Sequence, residues 1–140
     1  MIWFGGQCPS LDAINRLEDE TLASHLGIRF TAIDDDSLTA SMPVRRSNCQ
    51  PYGILHGGAS AVLIETLGSV GAALTIDLST KRPVGLEINA NHLRSVASGH
   101  VHGTARALHR GRRTQVWDVD IRDDDARLCC SGRLTIALID

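Results

Sequence analysis

The spacing of apolar positions changes several times along the chain, and each spacing predicts a different element. In residues 10–26 the apolar side chains recur three or four positions apart, which predicts a short N-terminal helix, either continuous or interrupted once. Ser10 or Asp12 is a suitable N-cap for this helix, and Gly27 is placed to end it. The chain therefore opens with a helix of modest length.

After that helix, apolar and polar residues alternate along the chain, and a long run of apolar residues comes next. Residues 28–33 and 38–44 alternate around an acidic turn, which predicts a β-hairpin. Residues 58–78 are apolar nearly all round, so we expect a helix that is buried on most sides. Its length raises the question of a membrane span, but it contains Glu65 and Asp77, and a buried core helix is the better interpretation.

The C-terminal half is β-rich and broken by short turns. Four strands are predicted there, over residues 84–94, 100–109, 113–122 and 127–138. Hairpin-length breaks favour antiparallel pairing. The order of elements predicts an α+β fold in which a curved antiparallel sheet wraps one long central helix, with a short N-terminal helix, as a single domain over residues 1–140.

Composition excludes several classes of protein. The 140 residues are 43% hydrophobic and 21% charged with a net charge of −2, so there is no overall electrostatic reason to bind nucleic acid or an anionic membrane. The four cysteines form no C-x-x-C motif, which argues against a zinc or redox site and favours free thiols in a reducing cytoplasm. The first residues lack the features of a signal peptide.

Glu65 is the most unusual residue of the long helix, because it lies within the run ASAVLIETLGSVGAALTI. A carboxylate in apolar surroundings is costly unless it is paired, and such groups often mark a functional site. The alternative is a carboxylate that bonds a neighbouring loop or lies at a solvated helix edge. The apolar flanks favour a function, and Ser69 shares the same helix face one turn later.

The same helix opens with His56-Gly57-Gly58, six residues after Gln50. Unpaired N–H groups and the helix dipole make such a start able to bind an anion or stabilise a developing oxyanion. A plain glycine-bearing loop that enters a helix is the alternative. The combination of Gln50, His56, Gly57 and Glu65 is more specific than the glycine pair alone.

The spacing of Gly57 and Glu65 bears on how a site could be built. Eight residues of helix rise ~12 Å, so the two groups of one helix cannot both touch one reacting carbonyl. A second copy, with its helix antiparallel and alongside, would supply the missing half. A stripe of small residues on the helix would admit it (Gly58, Ala61, Gly68 and Ala72, around Glu65). The alternative use of that stripe is packing against the chain's own sheet.

A family resemblance supports this interpretation. The stretch QPYGILHGGASAVLIETLGSVG resembles the active-site segment of PaaI-like hot-dog-fold acyl-CoA thioesterases, and VGLEINANHLRS, LHRGRRTQVW and RLCCSGRLTIA continue the likeness. It covers nearly the whole chain. The resemblance is greatest to the group that contains the 1,4-dihydroxy-2-naphthoyl-CoA thioesterase of menaquinone synthesis and the proofreading thioesterase of enterobactin synthesis.

The resemblance implies a role for each matching residue. Glu65 would be the nucleophile or general base, Gly57 N–H the oxyanion donor, Gln50 and His56 the groups that orient the carbonyl or the water, and Ser69 a hydroxyl beside the carboxylate. Coenzyme A would be bound by a larger set: Gly85, His92, Arg94, Ser95, His109, Arg110, Gly111, Arg112 and Arg113. Glu65 and Gly57 of one site would come from different subunits of a homo-oligomer, a dimer at least and a dimer of dimers by family likeness.

The function implied is hydrolysis of an acyl-CoA thioester, with an aromatic acyl group and with 1,4-dihydroxy-2-naphthoyl-CoA as a candidate. No metal and no cofactor are expected, and His100 and His102 lack an evident third ligand. Three alternatives stay open: removal of aryl groups misloaded on a carrier protein, non-catalytic acyl-CoA binding, and hot-dog dehydration. Dehydration would favour an Asp–His pair over Glu65 with Gln50.

Overall fold

Six antiparallel strands form one sheet that packs against one long helix, in a computed structural model that describes residues 1–140. The helices are α1 (Leu11–Leu17), α2 (Leu22–His25) and α3 (Gly57–Leu74). The strands are β1 (Arg29–Ile33), β2 (Ser37–Pro43), β3 (Arg82–His92), β4 (His100–Arg110), β5 (Thr114–Asp123) and β6 (Leu128–Ile139). Their order across the sheet is β1-β2-β4-β5-β6-β3. The predicted α+β architecture is confirmed.

The two predicted helices differ from the observed ones in detail. The N-terminal helix is interrupted, and Ser10 Oγ caps α1 by accepting a hydrogen bond from the Ala13 N–H. The long helix ends at Leu74, four residues before the predicted end. Thr75 stops it, because the Thr75 hydroxyl donates to the Ala72 carbonyl and accepts from Gln115 of β5. A contact from another element therefore sets this end.

α3 lies across strands β2 to β6, and close packing uses the glycines of its second half. A Cβ on Gly68 would lie 2.7 Å from Leu134, and one on Gly71 would lie 2.8 Å from the Trp117 ring. The prediction that Gly68 and Ala72 belong to a stripe facing a second copy is wrong, because both are buried against the chain's own sheet. α3 is long and apolar enough for a membrane span by composition, but this packing identifies it as the core helix.

A stacked tryptophan pair closes one end of the core. Trp3 and Trp117 are both buried, with ring centroids 6.5 Å apart and an interplanar angle of 12°. Trp3 Nε1 donates to the Asp34 carbonyl at 2.7 Å, and Trp117 Nε1 donates to Gln115 Oε1 at 2.8 Å. The N-terminal arm is therefore a fixed part of the structure.

β3 is an edge strand, because it pairs with β6 on one side only. Its unpaired edge is eleven residues long and carries exposed apolar side chains, Val84, Leu86 and Ile88. A bulge lies between Gly85 and Glu87, so Leu86 has no partner on β6. Long apolar edges normally pair with another strand or are covered.

Candidate active site

The start of α3 presents an unpaired backbone donor. His56 is the N-cap, and its Nδ1 accepts a hydrogen bond of 2.8 Å from the Gly58 N–H. Nδ1 therefore carries no proton, and in the neutral ring the proton is on Nε2. The Gly57 N–H makes no hydrogen bond within the chain. It is one of the free donors at the positive end of an 18-residue helix.

A cavity of about 290 Å³ opens at this helix start. Five predicted site residues line it: Gln50, Gly57, His92, Arg94 and Ser95. The remaining lining residues are Ile54, Leu55, Ser60, Leu93, Val96 and Cys129. The structure therefore brings together one half of the predicted site, from the loop before α3, the start of α3 and the segment after β3.

Close backbone contacts hold the cavity walls. A Cβ on Gly57 would lie 2.9 Å from His92 Nε2, so the absence of a side chain lets the imidazole lie against the helix start. The N–H groups of Leu93 and Arg94 both donate to the Cys129 carbonyl, at 2.8 and 3.1 Å. The Leu55 N–H donates to the Val96 carbonyl at 2.8 Å. The segment after β3 is thereby fixed against the loop that precedes α3.

Six of the lining residues were not predicted, and two of these six, Ser60 and Cys129, carry a hydroxyl or a thiol. Ser60 lies three residues after Gly57, on the same helix face, so its position could have been inferred from the sequence. Cys129 comes from β6, and no local pattern connects it to the helix start. Burial raises the pKa of the Cys129 thiol, so the sulfur stays protonated at neutral pH and is a poor nucleophile.

Three side chains with a predicted catalytic role lie outside this cavity: His56, Glu65 and Ser69. His56 faces a separate recess that Cys49 and Val62 also line, so within one chain its ring does not orient a group bound at the cavity. Glu65 is half-buried on α3, eight residues after Gly57, and its carboxylate forms no hydrogen bond or ion pair within the chain. Ser69, one turn later, is also half-buried and makes no side-chain hydrogen bond.

The Glu65 carboxylate contacts β3 at Gly85. An ideal Cβ on Gly85 would lie 2.7 Å from Glu65 Oε1. Gly85 pairs with Ile136, which pairs with Gln115 at the start of β5. Glu65 therefore lies toward the end of the sheet that holds the turn between β4 and β5.

That turn contains Gly111, Arg112 and Arg113, and the last two residues of β4, His109 and Arg110, adjoin it; we call these five residues the basic turn. In the sheet, His92 pairs with Cys130 of β6, and Cys130 pairs with Ile121 of β5. Ile121 is seven residues from Thr114, which adjoins the basic turn, and seven residues of strand span ~24 Å. The expectation that the basic turn and the segment after β3 bind one coenzyme A is therefore not met within a single chain. The two groups lie at opposite ends of the sheet.

The histidines of β4 take part in surface contacts. His102 Nε2 lies 2.7 Å from Asp124 Oδ1, and the His100 N–H donates to the other oxygen of the same carboxylate. Asp124 has a lowered pKa because of the His102 side-chain hydrogen bond, followed by the His100 N–H. The chain contains no group of three or more His, Cys, Asp or Glu side chains arranged around a common metal position.

Comparison with known proteins agrees with this geometry. A family model described as the thioesterase superfamily matches residues 52–130. The 1,4-dihydroxy-2-naphthoyl-CoA hydrolase of Escherichia coli strain K12 is 48% identical, over 93% of this chain and 95% of its own. The proofreading thioesterase EntH of Cronobacter turicensis is 45% identical over 99% of each chain. The crystal structure of a mutant of thioesterase PA1618 from Pseudomonas aeruginosa has a TM-score of 0.96 at 49% identity, over 99% of both chains.

An antiparallel sheet packed on one central helix is the hot-dog architecture, which this chain shares with solved thioesterases. The chain belongs to the thioesterase superfamily, whose model matches more than half of its length. The resemblance seen in its sequence is confirmed, and the chain is an enzyme that hydrolyses thioesters.

Proposed function

We propose that the chain hydrolyses aromatic acyl-CoA thioesters at sites formed by two copies of itself. The observation that carries this proposal is the unpaired Gly57 N–H, which lies at a helix start and lines a cavity of about 290 Å³. A helix N-terminus stabilises negative charge, and the carbonyl oxygen of a thioester becomes negative when its carbon is attacked. The donor is therefore suited to this reaction.

The reaction consumes one thioester and one water and releases a carboxylic acid and free coenzyme A thiol. The Gly57 N–H polarises the carbonyl. Glu65 takes one of two roles. As general base it removes a proton from water, whose oxygen then forms the new C–O bond. As nucleophile it forms an anhydride that water cleaves. In both routes the C–S bond breaks and the sulfur receives a proton.

Two copies are needed because the parts of the site lie apart in one chain. The Cα atoms of Gly57 and Glu65 are separated by eight residues of helix, ~12 Å. Antiparallel pairing of β3 with a second β3, about an axis near Ile88 and Asn89, would put Gly85 opposite the partner's His92. Glu65 lies against Gly85, and Gly57 lies against His92, so that pairing would bring the two groups together.

The same two-fold arrangement would reunite the predicted coenzyme A residues. The basic turn lies toward the Glu65 end of one chain, and Arg94 lies at the cavity end. Pairing would place the turn of one copy near Arg94 of the other, where guanidinium groups suit the coenzyme A phosphates. The exposed apolar edge of β3 supports a dimer at least, and we propose a dimer of dimers by family likeness.

We propose that the acyl group is aromatic, because the similar E. coli protein is named 1,4-dihydroxy-2-naphthoyl-CoA hydrolase. The likeness to EntH favours a second candidate, the removal of aryl groups misloaded on a carrier protein. An aromatic ring needs an apolar slot beside Glu65, and the half-buried Val62 and Val70 of α3 are candidate walls, whereas Leu67 is fully buried in the core and is excluded. No metal or cofactor is required by this chemistry, and we place the enzyme in the cytoplasm.

The test is a panel of aryl and alkyl thioesters, on coenzyme A and on a carrier protein, assayed by release of free thiol. Benzoyl-CoA and 1,4-dihydroxy-2-naphthoyl-CoA should be hydrolysed faster than acetyl-CoA. Glu65→Gln keeps the volume and removes the charge, so turnover should fall at least ~10²-fold while the fold is retained. Near-normal turnover of that variant would exclude Glu65 as the catalytic group, and faster hydrolysis of acetyl-CoA would exclude the aromatic specificity.

A further inference from the structure

The absence of a side chain at Gly85 leaves space beside the carboxylate of Glu65. This glycine belongs to β3, and an ideal Cβ there would approach Glu65 Oε1 to 2.7 Å, closer than real Cβ atoms come to other heavy atoms. The carbon of the Glu65 carboxylate would lie 3.6 Å from the same Cβ. The close contact is therefore made by the carboxylate oxygen, the part of Glu65 that would react.

The backbone does not explain why this residue is glycine. Gly85 is not among the glycines with a positive φ, a conformation that side chains disfavour. It lies in a strand, where glycine is unfavourable because it has no side chain to pack. It is also exposed, so the sheet does not crowd the position from outside. Within one chain, the remaining constraint on this position is the carboxylate of Glu65 on α3.

We propose that Gly85 is a positioning residue for Glu65: the absent side chain leaves the space in which the carboxylate lies against β3. The adjacent bulge at Leu86 belongs to the same arrangement, since it interrupts the regular ladder directly after the glycine. This inference rests on the proposed role of Glu65. It assigns Gly85 a role through Glu65, in addition to the coenzyme A contact that the family resemblance implies.

The predicted consequence separates activity from stability. A methyl group at position 85 would require the carboxylate to retreat by about 0.7 Å to reach an ordinary van der Waals distance. The end of a flexible, half-buried side chain can move that far at little energetic cost, so the fold should survive. A displacement near 1 Å can nevertheless cost a catalytic step up to ~10²-fold. Gly85→Ala should lose turnover without losing stability.

A double-mutant cycle tests this role. Glu65→Asp shortens the side chain by one methylene, about 1.5 Å, which removes the carboxylate from the Gly85 contact and lowers turnover by itself. Four proteins are compared by thiol release from benzoyl-CoA: wild type, Gly85→Ala, Glu65→Asp and the double variant. We expect Gly85→Ala to lower kcat about 10- to 100-fold in the wild type, with KM changed less than about threefold. In the Glu65→Asp background the same change should lower kcat less than about threefold.

Controls exclude a general effect on the sheet. Thr31→Ala alters an exposed side chain of β1, at the opposite edge of the sheet from β3, and its kcat should stay within about twofold of wild type. Thermal unfolding of Gly85→Ala should match that of wild type within a few degrees. If the two proteins that carry Glu65→Asp have too little activity to measure, a crystal structure of Gly85→Ala decides, because Glu65 Oε1 should be displaced from its present position.

The outcomes distinguish this inference from the proposed function. An equal loss from Gly85→Ala in both backgrounds would overturn the positioning role and indicate that position 85 contacts substrate directly. An unchanged kcat in Gly85→Ala, or an undisplaced carboxylate, would overturn it as well. If Glu65→Gln itself retains turnover, the proposed catalytic role of Glu65 fails instead.

Discussion

The division of the site between two copies can be tested by mixing two inactive variants. One variant is Glu65→Gln, which removes the carboxylate. The other is Gly57→Pro, which removes the free N–H. Proline is tolerated at the first position of a helix, and His56 before it has φ −67° and ψ 132°, the extended conformation that proline requires of its neighbour. The proline ring would contact the His92 imidazole, which is exposed.

Each variant alone should be nearly inactive. Loss of one oxyanion donor lowers kcat about 10²- to 10³-fold, and loss of the carboxylate is expected to be comparable. In a mixed dimer one site would contain both altered residues and the other would contain neither. Random mixing at equal amounts makes about half of the dimers mixed, so the sample should regain ~25% of wild-type activity.

The assay is thiol release from benzoyl-CoA after co-expression with two affinity tags, which allows the mixed dimers to be purified. Purified mixed dimers should have about half of the wild-type activity. Gly57→Ala is the matched control, because it adds the same Cβ contact with His92 and keeps the N–H. It should retain more activity than Gly57→Pro. If mixed dimers stay at the level of the parent variants, Glu65 and Gly57 of one site come from the same chain, and the shared-site reasoning is refuted.

Three further predictions concern recognition, chemistry and stability. Arg94→Ala should raise KM for benzoyl-CoA a few-fold with kcat retained, because an exposed charge binds ground and transition states equally; an unchanged KM would contradict the role of Arg94. Activity should survive dialysis against a chelator, because the motif supplies an amide donor and a carboxylate; loss that added metal restores would show that the chemistry was misassigned. Asp123 is buried, and hydrogen bonds from the Arg127 N–H and the Arg127 guanidinium lower the pKa of its carboxyl group below the ordinary value of 3.8. The ionised carboxylate therefore stabilises the folded protein above pH 3.8, and this contribution is lost as the pH falls through the lowered pKa. Denaturant unfolding should show Asp123→Asn less stable than wild type at neutral pH, with the difference shrinking in acid; a difference that persists unchanged at low pH would point to packing instead.

Local patterns predicted the elements because each element buries one face or one run. The alternation in β4, β5 and β6 and the apolar length of α3 were visible in the sequence, and the observed bounds differ by one or two residues at most for these strands. The end of α3 was placed too late, because it depends on Gln115, which is forty residues further along the chain than Thr75. No local pattern carries such a contact.

The site was predictable in its residues but only partly in its arrangement. Gln50, Gly57 and the segment after β3 lie together as the resemblance implied. The roles of Gly68 and Gly71 were not accessible, because their neighbours are Leu134 and Trp117 of distant strands. A small-residue stripe admits any close neighbour, and only the three-dimensional packing shows which neighbour is present.

The stacked pair of Trp3 and Trp117 has a practical consequence for spectroscopy. These are the only tryptophans of the chain, and both are buried in one cluster, where Trp117 packs on Gly71 of α3. All intrinsic tryptophan emission therefore originates from a single location, and rings this close should couple electronically and produce a paired band in circular dichroism. Neither indole lines the cavity at the helix start, so the optical signal reports docking of the N-terminal arm and integrity of the core. A ligand could fill the site completely and leave the fluorescence unchanged.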